Sequence, residues 1–424
     1  MSTLAVSRPA TSHVRWTVCA LLFFATTINY VDRQVLSILA KTLETQIGWD
    51  SIQYGYITAA FQAAYAIGLL TAGRLMDRLG TRKGYALAIS IWSVAAMAHA
   101  GAVSAFTFGI ARALLGLGEA ANFPACIKTV AEWFPKSERA LATGLFNSGA
   151  NIGAVVAPLV VPWLAVKYGW QSAFIATGAL GFVWLIFWLL IYSRPEDHRT
   201  ISPRELGYIQ CDPPDKVTAS TPWLRLFPKR ETWAFAVGKG FTDPVWWFYL
   251  FWLPKYLQET FGLTLQQIVL PTLVVYNICS VGSVAGGWLS SGLIKQGWTV
   301  NAARKTAMLI CALLVVPVIY APYCHSLWGV VALVGLATAA HQGWSANLFT
   351  TTSDMFPKSA VGSVVGIGGT AGALASVGVQ ISTGYIVQLT HSYLPLFIIS
   401  GLAYLAALGI IQMLSPNLAP AELD

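Results

Sequence analysis

The segment Gly73-Arg74-Leu75-Met76-Asp77-Arg78-Leu79-Gly80-Thr81-Arg82-Lys83 is a polar interruption between two apolar stretches, at about residues 52–74 and 84–103. Gly73 and Gly80 permit close backbone approach and a tight turn because glycine lacks a Cβ atom. Asp77 can pair with arginines or with the positive end of a neighbouring helix. The segment suits a gate; the alternative is an ordinary solvated basic loop. The residues predicted to form the gating motif are Gly73, Asp77, Arg78, Gly80 and Arg82.

The apolar stretches on either side of this segment belong to a series that runs through the chain. Of its 424 residues, 56% are apolar and 10% are charged, and the mean hydropathy is +0.60. No soluble domain of this size has such a composition. Since a spanning helix needs about 20 mostly apolar residues, the sequence predicts an all-α polytopic membrane protein. Its twelve transmembrane helices are expected at about residues 16–39, 52–74, 84–103, 106–133, 139–166, 170–193, 232–258, 267–291, 303–322, 326–353, 361–387 and 392–415.

Basic residues are unevenly distributed between the two sides of the predicted membrane. With the N-terminus inside, 19 of the 26 Lys and Arg fall on the cytoplasmic side, 3 outside and the other four within helices. This asymmetry is the positive-inside rule. It predicts that both termini are cytoplasmic, and it explains the net charge of +8 without a nucleic-acid partner.

Several functional classes are disfavoured by the same sequence. The six cysteines show no metal or redox spacing and are interpreted as structural residues. The first apolar stretch lacks a small-residue cleavage site and is interpreted as a retained helix. No nucleophile and base occur with recognisable spacing, so an enzyme is not expected. We expect a monomer with no metal or organic cofactor, whose partners are the lipid bilayer and a small solute.

A long polar segment divides the predicted helices into two sets of six. Residues 194–230 carry seven Lys or Arg and six Pro. The sequence therefore predicts an N-terminal six-helix half at 1–193, a cytoplasmic linker at 194–230 and a C-terminal six-helix half at 231–424. Within the linker, Ser202-Pro203-Arg204-Glu205 has a capping serine, a proline at the first helical position and a glutamate at the third. This pattern predicts a short surface helix.

The two halves also share a repeated tetrapeptide. Phe134-Pro135-Lys136-Ser137 and Phe356-Pro357-Lys358-Ser359 follow the fourth and tenth predicted helices, and each is preceded by an acid, Glu132 or Asp354. An identity at equivalent topological positions indicates internal duplication. Two six-helix halves of this kind are a transporter architecture, with the binding site at midplane between them.

Four formally charged residues lie in the predicted membrane core. Each costs roughly 2.5 to 3.5 kcal/mol to insert near the helix centre, so such residues mark a pathway by default. Asp32 and Arg33 are adjacent and point about 100° apart, while Arg112 and Glu119 are about 10 Å apart along one helix. Neither pair can satisfy itself, so the four are predicted to project into one cavity.

These charges support a hypothesis of ion-coupled transport. One arginine would bind a carboxylate substrate, while Asp32 or Glu119 changes its protonation state as substrate or helix moves. The four charges sum to zero when ionised, and protonating one acid leaves +1, which a monoanion neutralises. The alternative is a static ion pair that joins helices.

The gating segment resembles the signature loop of the major facilitator superfamily: glycine, three residues, Asp-Arg, then glycine and a basic pair. The second half has a degenerate copy of this motif, Gly287-Trp288-Leu289-Ser290-Ser291-Gly292, with its basic pair displaced to Arg304-Lys305. With the duplication and the twelve predicted helices, the resemblance covers essentially the whole chain. It implies the major facilitator fold and transport by alternating access.

Two further segments resemble the anion:cation symporter family within that superfamily. They are Asn29-Tyr30-Val31-Asp32-Arg33-Gln34 and the run from Arg112 through Gly116, Gly118, Glu119 and Asn122 to Pro124. The strings Glu132-Trp133-Phe134-Pro135 and Asp243-Pro244-Val245-Trp246-Trp247-Phe248, with His341-Gln342, look most like hexuronate transporters. The resemblance implies that Arg33 binds the carboxylate with Tyr30 and Tyr65 beside the sugar, that Asp32 and Glu119 couple protons, and that Arg112 tunes them.

Other polar residues within predicted helices are candidate substrate ligands. Lys239 and Asp243 are four apart and can form an intrahelical pair; Lys239 could instead bind substrate or reach the cytoplasmic interface. Asn147 and Asn151 have a spacing suited to two sugar hydroxyls, although amides also join helices. His341, beside Gln342, fits either a ligand group or a packed hydrogen-bonder.

The sequence thus predicts a proton-coupled importer of a sugar acid, galacturonate or glucuronate, in a bacterial inner membrane. Transport of another organic anion, such as an aldonate or aldarate, is the nearest alternative. A membrane sensor that binds a sugar acid without moving it is an alternative from a different class.

Overall fold

The computed structural model describes residues 13–211 and 223–422, and helices are the only regular elements in these two ranges. Fourteen α-helices are described: α1 (Val14–Ile47), α2 (Ser51–Ala98), α3 (Ala105–Glu119), α4 (Asn122–Trp133), α5 (Lys136–Tyr168), α6 (Trp170–Ile191), α7 (Pro203–Ile209), α8 (Trp223–Leu226), α9 (Arg230–Phe261), α10 (Val269–Lys295), α11 (Val300–Val315), α12 (Leu327–Met355), α13 (Lys358–Thr390) and α14 (Leu394–Leu414).

The second and third predicted helices both lie within α2, on either side of a kink at Gly80. The helix α2 begins with a capping box, in which the Asp50 side chain accepts from the backbone of Gln53 and the Gln53 side chain accepts from that of Asp50. Gly80 alone leaves the helical region, with φ 74° and ψ 158°. The two expected helices are therefore present, and the connection between them is a kink at one glycine with positive φ, after which helical geometry resumes at once.

Two other predicted helices are interrupted. The stretch 106–133 is divided into α3 and α4 at Ala120 and Ala121, because Pro124 has no N–H for the carbonyl four residues earlier. The stretch 303–322 changes from α11 to a 3₁₀ helix, Val316–Tyr323, which contains two prolines. The short helix predicted in the linker is present as α7, with Ser202 accepting from the backbone of Glu205.

Nine helices in the described ranges are long and apolar enough to cross a membrane. The predicted stretches 106–133, 232–258 and 326–353 are helical but are not among them, and they carry several of the candidate site residues. Polar side chains lower the hydropathy of 232–258 and 326–353, and a chain break shortens the first stretch. The number of twelve spans stays a prediction.

Small residues bring α1 close to its neighbours. A Cβ atom added at Gly149 of α5 would lie 2.4 Å from the Phe23 carbonyl oxygen, and one at Gly153 would lie 2.5 Å from that of Thr27. Such contacts are typical of membrane helices, whose association depends on close packing. They hold α1, which carries Asp32 and Arg33, firmly in the bundle.

Candidate functional site

Arg33 and Glu119 form a buried ion pair between α1 and α3. The Nε and Nη2 atoms of Arg33 both lie 2.8 Å from Oε2 of Glu119, and Nη2 also donates to the Asn29 side chain at 3.1 Å. The side chains of Arg33 and Glu119 are 3% and 0% exposed. Each residue therefore finds its partner on another helix, as the divergence of Asp32 and Arg33 requires.

Four aromatic rings surround the Arg33 guanidinium, and we call them the arginine cage. Its carbon lies 4.7 to 5.3 Å from the ring centres, within the range of cation–π attraction. Three rings come from α1 and α2, and one comes from α9 in the second half of the chain. The members are Tyr30, Phe61, Tyr65 and Trp247.

Arg112 lies at the same level as this pair. Its Nη1 and Nη2 atoms each donate to the Arg33 carbonyl oxygen at 3.2 Å. Arg112 is 1% exposed, and its Nε atom has no hydrogen-bond partner in the described structure. The second arginine therefore stabilises the backbone that carries the first.

Asp32 is 2% exposed, and neither carboxylate oxygen has a hydrogen-bond partner among the described residues. Glu119 and Arg112 act on it electrostatically, and the Thr177 hydroxyl of α6 faces it. The Thr177 oxygen is also unpartnered, so a fully formed hydrogen bond does not join the two groups. Asp32 is thus close to the Arg33–Glu119 pair but is not engaged by it.

A second polar group lies on α9 and α12. Lys239 Nζ is 2.8 Å from Asp243 Oδ1, which forms the intrahelical pair expected from their spacing. Lys239 also lies 4.6 Å from the centre of the Phe349 ring. A Cβ atom added at Gly372 of α13 would be 2.4 Å from Asp243 Oδ2, so α13 covers the pair closely.

His341 is a packed hydrogen-bonder in this structure. Its Nδ1 atom is 2.7 Å from the Tyr404 hydroxyl, and its ring stacks on Trp246 at 5.1 Å. It is 4% exposed, whereas the neighbouring Gln342 is half-buried. Lys239 is near enough to act electrostatically on His341, so these side chains belong to the same group.

The helix α9 links the two groups through three neighbouring positions. Asp243 pairs with Lys239, Trp246 stacks on His341, and Trp247 lies 5.1 Å from Arg33. The two halves therefore meet at the candidate site. Trp247 and Phe61 were not predicted as site residues, because aromatic residues at helical spacing are more often core.

Asn147 and Asn151 are less closely tied to these groups. Asn147 is exposed and Asn151 is half-buried. Both lie on α5, on the turns where Gly149 and Gly153 contact α1. Their expected role as readers of sugar hydroxyls stays a prediction.

The gating motif is described in part. Gly80 makes the expected tight turn, Arg82 donates to the Leu189 carbonyl of α6, and Arg78 is exposed. A Cβ atom added at Gly73 would meet nothing within 4 Å among the described residues, and the expected close approach at this glycine stays a prediction. The side chain of Asp77 lies outside the described part of the structure.

The repeated acids make corresponding contacts in the two halves. Glu132 accepts from Thr81, within the gating motif, at 2.7 Å, and also from Tyr192. Asp354 accepts from Arg304 at 3.2 Å, and Arg304 also donates to Ser290 in the degenerate copy of the motif. Each acid thus joins its helix to the motif of its own half.

A charged cluster closes the end of the bundle away from the termini. Lys255 of α9 has a side chain that is 0% exposed, and its Nζ atom lies 2.9 Å from a Glu44 oxygen and 2.9 Å from the Ser51 hydroxyl. Glu259 lies 3.7 Å from the same atom, and the Tyr54 ring lies below it. The sequence assigns Lys255 to the outer surface by topology alone, which gave no sign of these partners.

Further hydrogen bonds join the two halves at this end. The Tyr54 hydroxyl donates to the Phe251 carbonyl at 2.6 Å, and the Gln380 side chain accepts from Trp252 at 2.7 Å and from Thr58 at 3.1 Å. All these groups are buried. The bundle is therefore tightly closed on this side of the arginine cage.

A family model described as the Major Facilitator Superfamily matches residues 22–379. The chain belongs to the major facilitator superfamily. This major facilitator is 32% identical over 394 residues to the "Hexuronate transporter" of Escherichia coli (strain K12), covering 91% of this chain and 90% of that protein. It is 33% identical over 417 residues to the "Probable galactarate/D-glucarate transporter GudP" of Bacillus subtilis (strain 168), covering 93% and 90%.

The fold of this major facilitator is also that of solved transporters. A crystal structure of a bacterial homologue of the human lysosomal transporter Spinster, in an inward-facing and occupied conformation, matches with a TM-score of 0.74. The match covers 96% of this chain and 98% of that chain at 18% sequence identity. The fold class predicted from the sequence is thereby confirmed. The chain is a multi-pass membrane transporter of this superfamily, not an enzyme.

Proposed function

We propose that this major facilitator imports a sugar acid, a hexuronate such as galacturonate or glucuronate, together with a proton across a bacterial inner membrane. The arginine cage carries the proposal. Arg33 is buried, already holds a carboxylate, and is enclosed by four rings. A sugar acid offers a carboxylate for the guanidinium and an apolar ring face for the aromatic side chains. The similarity to a protein named hexuronate transporter supports this substrate class.

The exchange of carboxylates on Arg33 provides a route to coupling. A substrate carboxylate that takes the Nε and Nη2 atoms of Arg33 would displace Glu119, which uses the same two atoms. Displaced Glu119 would be a buried carboxylate without its cation, a state that strongly favours protonation. Binding of substrate would thus promote binding of a proton.

The charge of the site fits a monoanion. An ionised Asp32 buried without a hydrogen-bond donor would be costly, so the observed geometry fits the neutral acid. If Asp32 carries the coupled proton and Glu119 stays ionised, then Arg33, Arg112 and Glu119 sum to +1, which one hexuronate carboxylate neutralises. Asp32 and Glu119 both remain candidates for the acid that carries the coupled proton.

The position of the site between the halves supports transport by alternating access. We assign the end closed by Lys255 to the extracytoplasmic side, since both termini are proposed to be cytoplasmic. Closure there leaves access from the cytoplasm. The carboxylate that is bound to Arg33 and the contacts that Trp247 makes would then change as the two halves rock against each other.

The test is uptake of labelled galacturonate and glucuronate into proteoliposomes under an imposed pH gradient. We expect accumulation that follows the gradient and collapses with a protonophore. Empty liposomes are the control. Failure of both acids to accumulate, or accumulation that ignores the gradient, would contradict the proposal.

An aldarate is a second candidate substrate, since a relative at 33% identity is named a galactarate/D-glucarate transporter. A dicarboxylate needs two cations. Lys239 is the available second cation, although Asp243 already compensates it at 2.8 Å. Uptake of galactarate in the same assay decides between the two substrates.

A further inference from the structure

Thr177 differs from most buried threonines of this bundle. The hydroxyl of a threonine in a membrane helix usually donates to the carbonyl three or four residues earlier. Thr26, Thr129 and Thr242 do so here, at 3.0, 2.8 and 2.7 Å. Thr177 is 1% exposed, and its hydroxyl makes no such bond in the described structure. Its donor is therefore available to another group.

The helices α1 and α6 pack against each other, and Thr177 is the side chain of α6 that acts on the Asp32 carboxylate as a hydrogen-bonding group. Among the described residues neither oxygen of Asp32 has a hydrogen-bond partner, so an acceptor without a donor lies beside a donor without an acceptor. Buried polar groups in native structures are nearly always paired. A small movement of either side chain, or one buried water between them, completes the pair.

The surroundings of Thr177 contain further unpaired polar atoms. One turn along α6, a Cβ atom added at Gly181 would be 2.0 Å from the Ser93 hydroxyl and 3.5 Å from the Trp92 indole nitrogen. Both of these buried atoms also lack partners in the described structure. A buried water usually makes about three hydrogen bonds to such groups. The junction of α2 and α6, one turn from Thr177, is thus suited to hold a buried water.

Few other groups can serve Asp32 when it is ionised. The sequence of α6 contains no ionisable residue. On α3, Glu119 is engaged by Arg33, and Arg112 donates to the Arg33 carbonyl; directly after α2, His99 bonds the Ala95 carbonyl. The remaining charges on helices packed against α1 are engaged elsewhere or lie at helix ends: Lys239 with Asp243, Lys255 with Glu44, Glu132 with Thr81, Lys128 with Met76, Glu138 with Arg15, and Lys167 over Trp163.

We propose that Thr177 is a positioning residue for proton coupling, whose hydroxyl donates to the Asp32 carboxylate, directly or through one water, whenever that acid is ionised. The inference rests on the proposed function, in which Asp32 changes its protonation state. Thr177 then sets the pH at which the change occurs. It does not contact the substrate.

The experiment measures substrate exchange in proteoliposomes as a function of pH, equal on both sides, with Thr177→Val and Thr177→Ser. Valine removes the donor that stabilises ionised Asp32, so the acid keeps its proton to higher pH. We expect the midpoint of the pH profile to rise by about one pH unit, from the usual strength of a hydrogen bond to a charged group. Serine keeps the hydroxyl and should restore the wild-type midpoint.

Thr129→Val is the matched control, because Thr129 is equally buried and bonds only its own helix. It should leave the midpoint unchanged. Thr177→Ala, which is smaller, replaces valine if the valine variant does not fold. Adding Thr177→Val to Asp32→Asn should change nothing further in the pH profile.

The outcomes separate the two proposals. If Asp32→Asn leaves the pH profile of the otherwise native protein unaltered, the coupling role of Asp32 fails, and this inference fails with it. If Asp32→Asn alters the profile while folded Thr177→Val or Thr177→Ala keeps the native midpoint, only the role of Thr177 is overturned. A shift that serine does not reverse also overturns it.

Discussion

The Nε and Nη2 atoms of Arg33 both lie 2.8 Å from a single oxygen of Glu119. The other oxygen of Glu119 is buried without a partner in the described structure, so only one of the two carboxylate oxygens takes part in the ion pair. A buried ion pair contributes little net stability compared with apolar packing, and breaking it leaves a costly charge. Such a pair suits a site where one partner is replaced in each cycle.

Arg33→Lys tests whether the planar guanidinium of Arg33 is needed to bind a carboxylate. Lysine keeps the charge but has no two nitrogens in a fixed plane, so it cannot reproduce the contact. We expect uptake of hexuronate at low substrate concentration to fall roughly 10- to 100-fold, the equivalent of one or two charge-assisted hydrogen bonds. Arg199→Lys, on an exposed arginine, should transport normally. Native uptake by Arg33→Lys would exclude Arg33 as the carboxylate ligand.

Asp32→Asn and Glu119→Gln separate coupling from substrate binding. An amide cannot release a proton at physiological pH, so a coupling acid converted to its amide should lose gradient-driven uptake but keep exchange of internal for external substrate. Both activities are measured in the same proteoliposomes. Asp197→Asn, at an exposed acid, serves as the control. Driven uptake that survives in both variants would refute proton coupling through these acids.

The sequence predicts which charged residues form the site better than it predicts which of their side chains are in contact. Helical periodicity alone shows that Asp32 and Arg33 diverge and that Arg112 and Glu119 are too far apart to pair. Which side chains then meet depends on how α1 and α3 cross, a long-range property without a local pattern. Hence the sequence placed four charges in one cavity, but it could not show that Arg33 takes Glu119 while Asp32 remains unpaired.

Aromatic residues and helix interruptions show the same limit. Phe61 and Trp247 read as core residues in the sequence, and only the packing of α2 and α9 around Arg33 reveals their position in the arginine cage. By contrast, Pro203 and Gly80 control local backbone geometry, and their effects were predictable from the sequence. The break before Pro124 was missed because the apolar pattern continues across it.

Trp247→Ala tests the ring that the second half contributes to the arginine cage. Removing it should lower apparent substrate affinity by about 5- to 30-fold, because a cation–π contact in a desolvated site contributes about 1 to 2 kcal/mol. Trp247→Phe should lie between alanine and the native protein. The measurement is the KM of exchange, with exposed Trp288→Ala as the control. An unchanged KM in the alanine variant would remove Trp247 from the site.

Lys239→Met tests whether Lys239 binds the second carboxylate of an aldarate substrate. The ratio of hexuronate to galactarate uptake should rise about 10-fold if Lys239 binds the far end of an aldarate, since a charge-assisted bond is lost for one substrate only. Asp243→Asn is combined with it so that no lone buried carboxylate remains. A purely structural pair would lower uptake of both substrates equally. Lys239→Arg, which keeps the charge, should restore the ratio.

Lys255→Met tests the closed end of the bundle. Methionine leaves Glu44 and Glu259 facing each other without the buried cation, and loss of one partner of a buried pair costs about 3 to 5 kcal/mol. We expect the closed arrangement to lose population by more than 10-fold relative to the open one. Spin labels at Gln53 and Thr260, on either side of the closure, should lie farther apart in Lys255→Met than in the native protein when measured by double electron–electron resonance.

Lys41→Met provides the matched control for this closure. Lys41 contacts the same two acids, at 3.5 and 3.4 Å, but its side chain is 42% exposed, whereas that of Lys255 is fully buried. Exposed ion pairs contribute about 0 to 1 kcal/mol, so Lys41→Met should leave the distance distribution close to native. Equal effects of the two substitutions would mean that total charge at this end, rather than the buried cation, keeps the halves together.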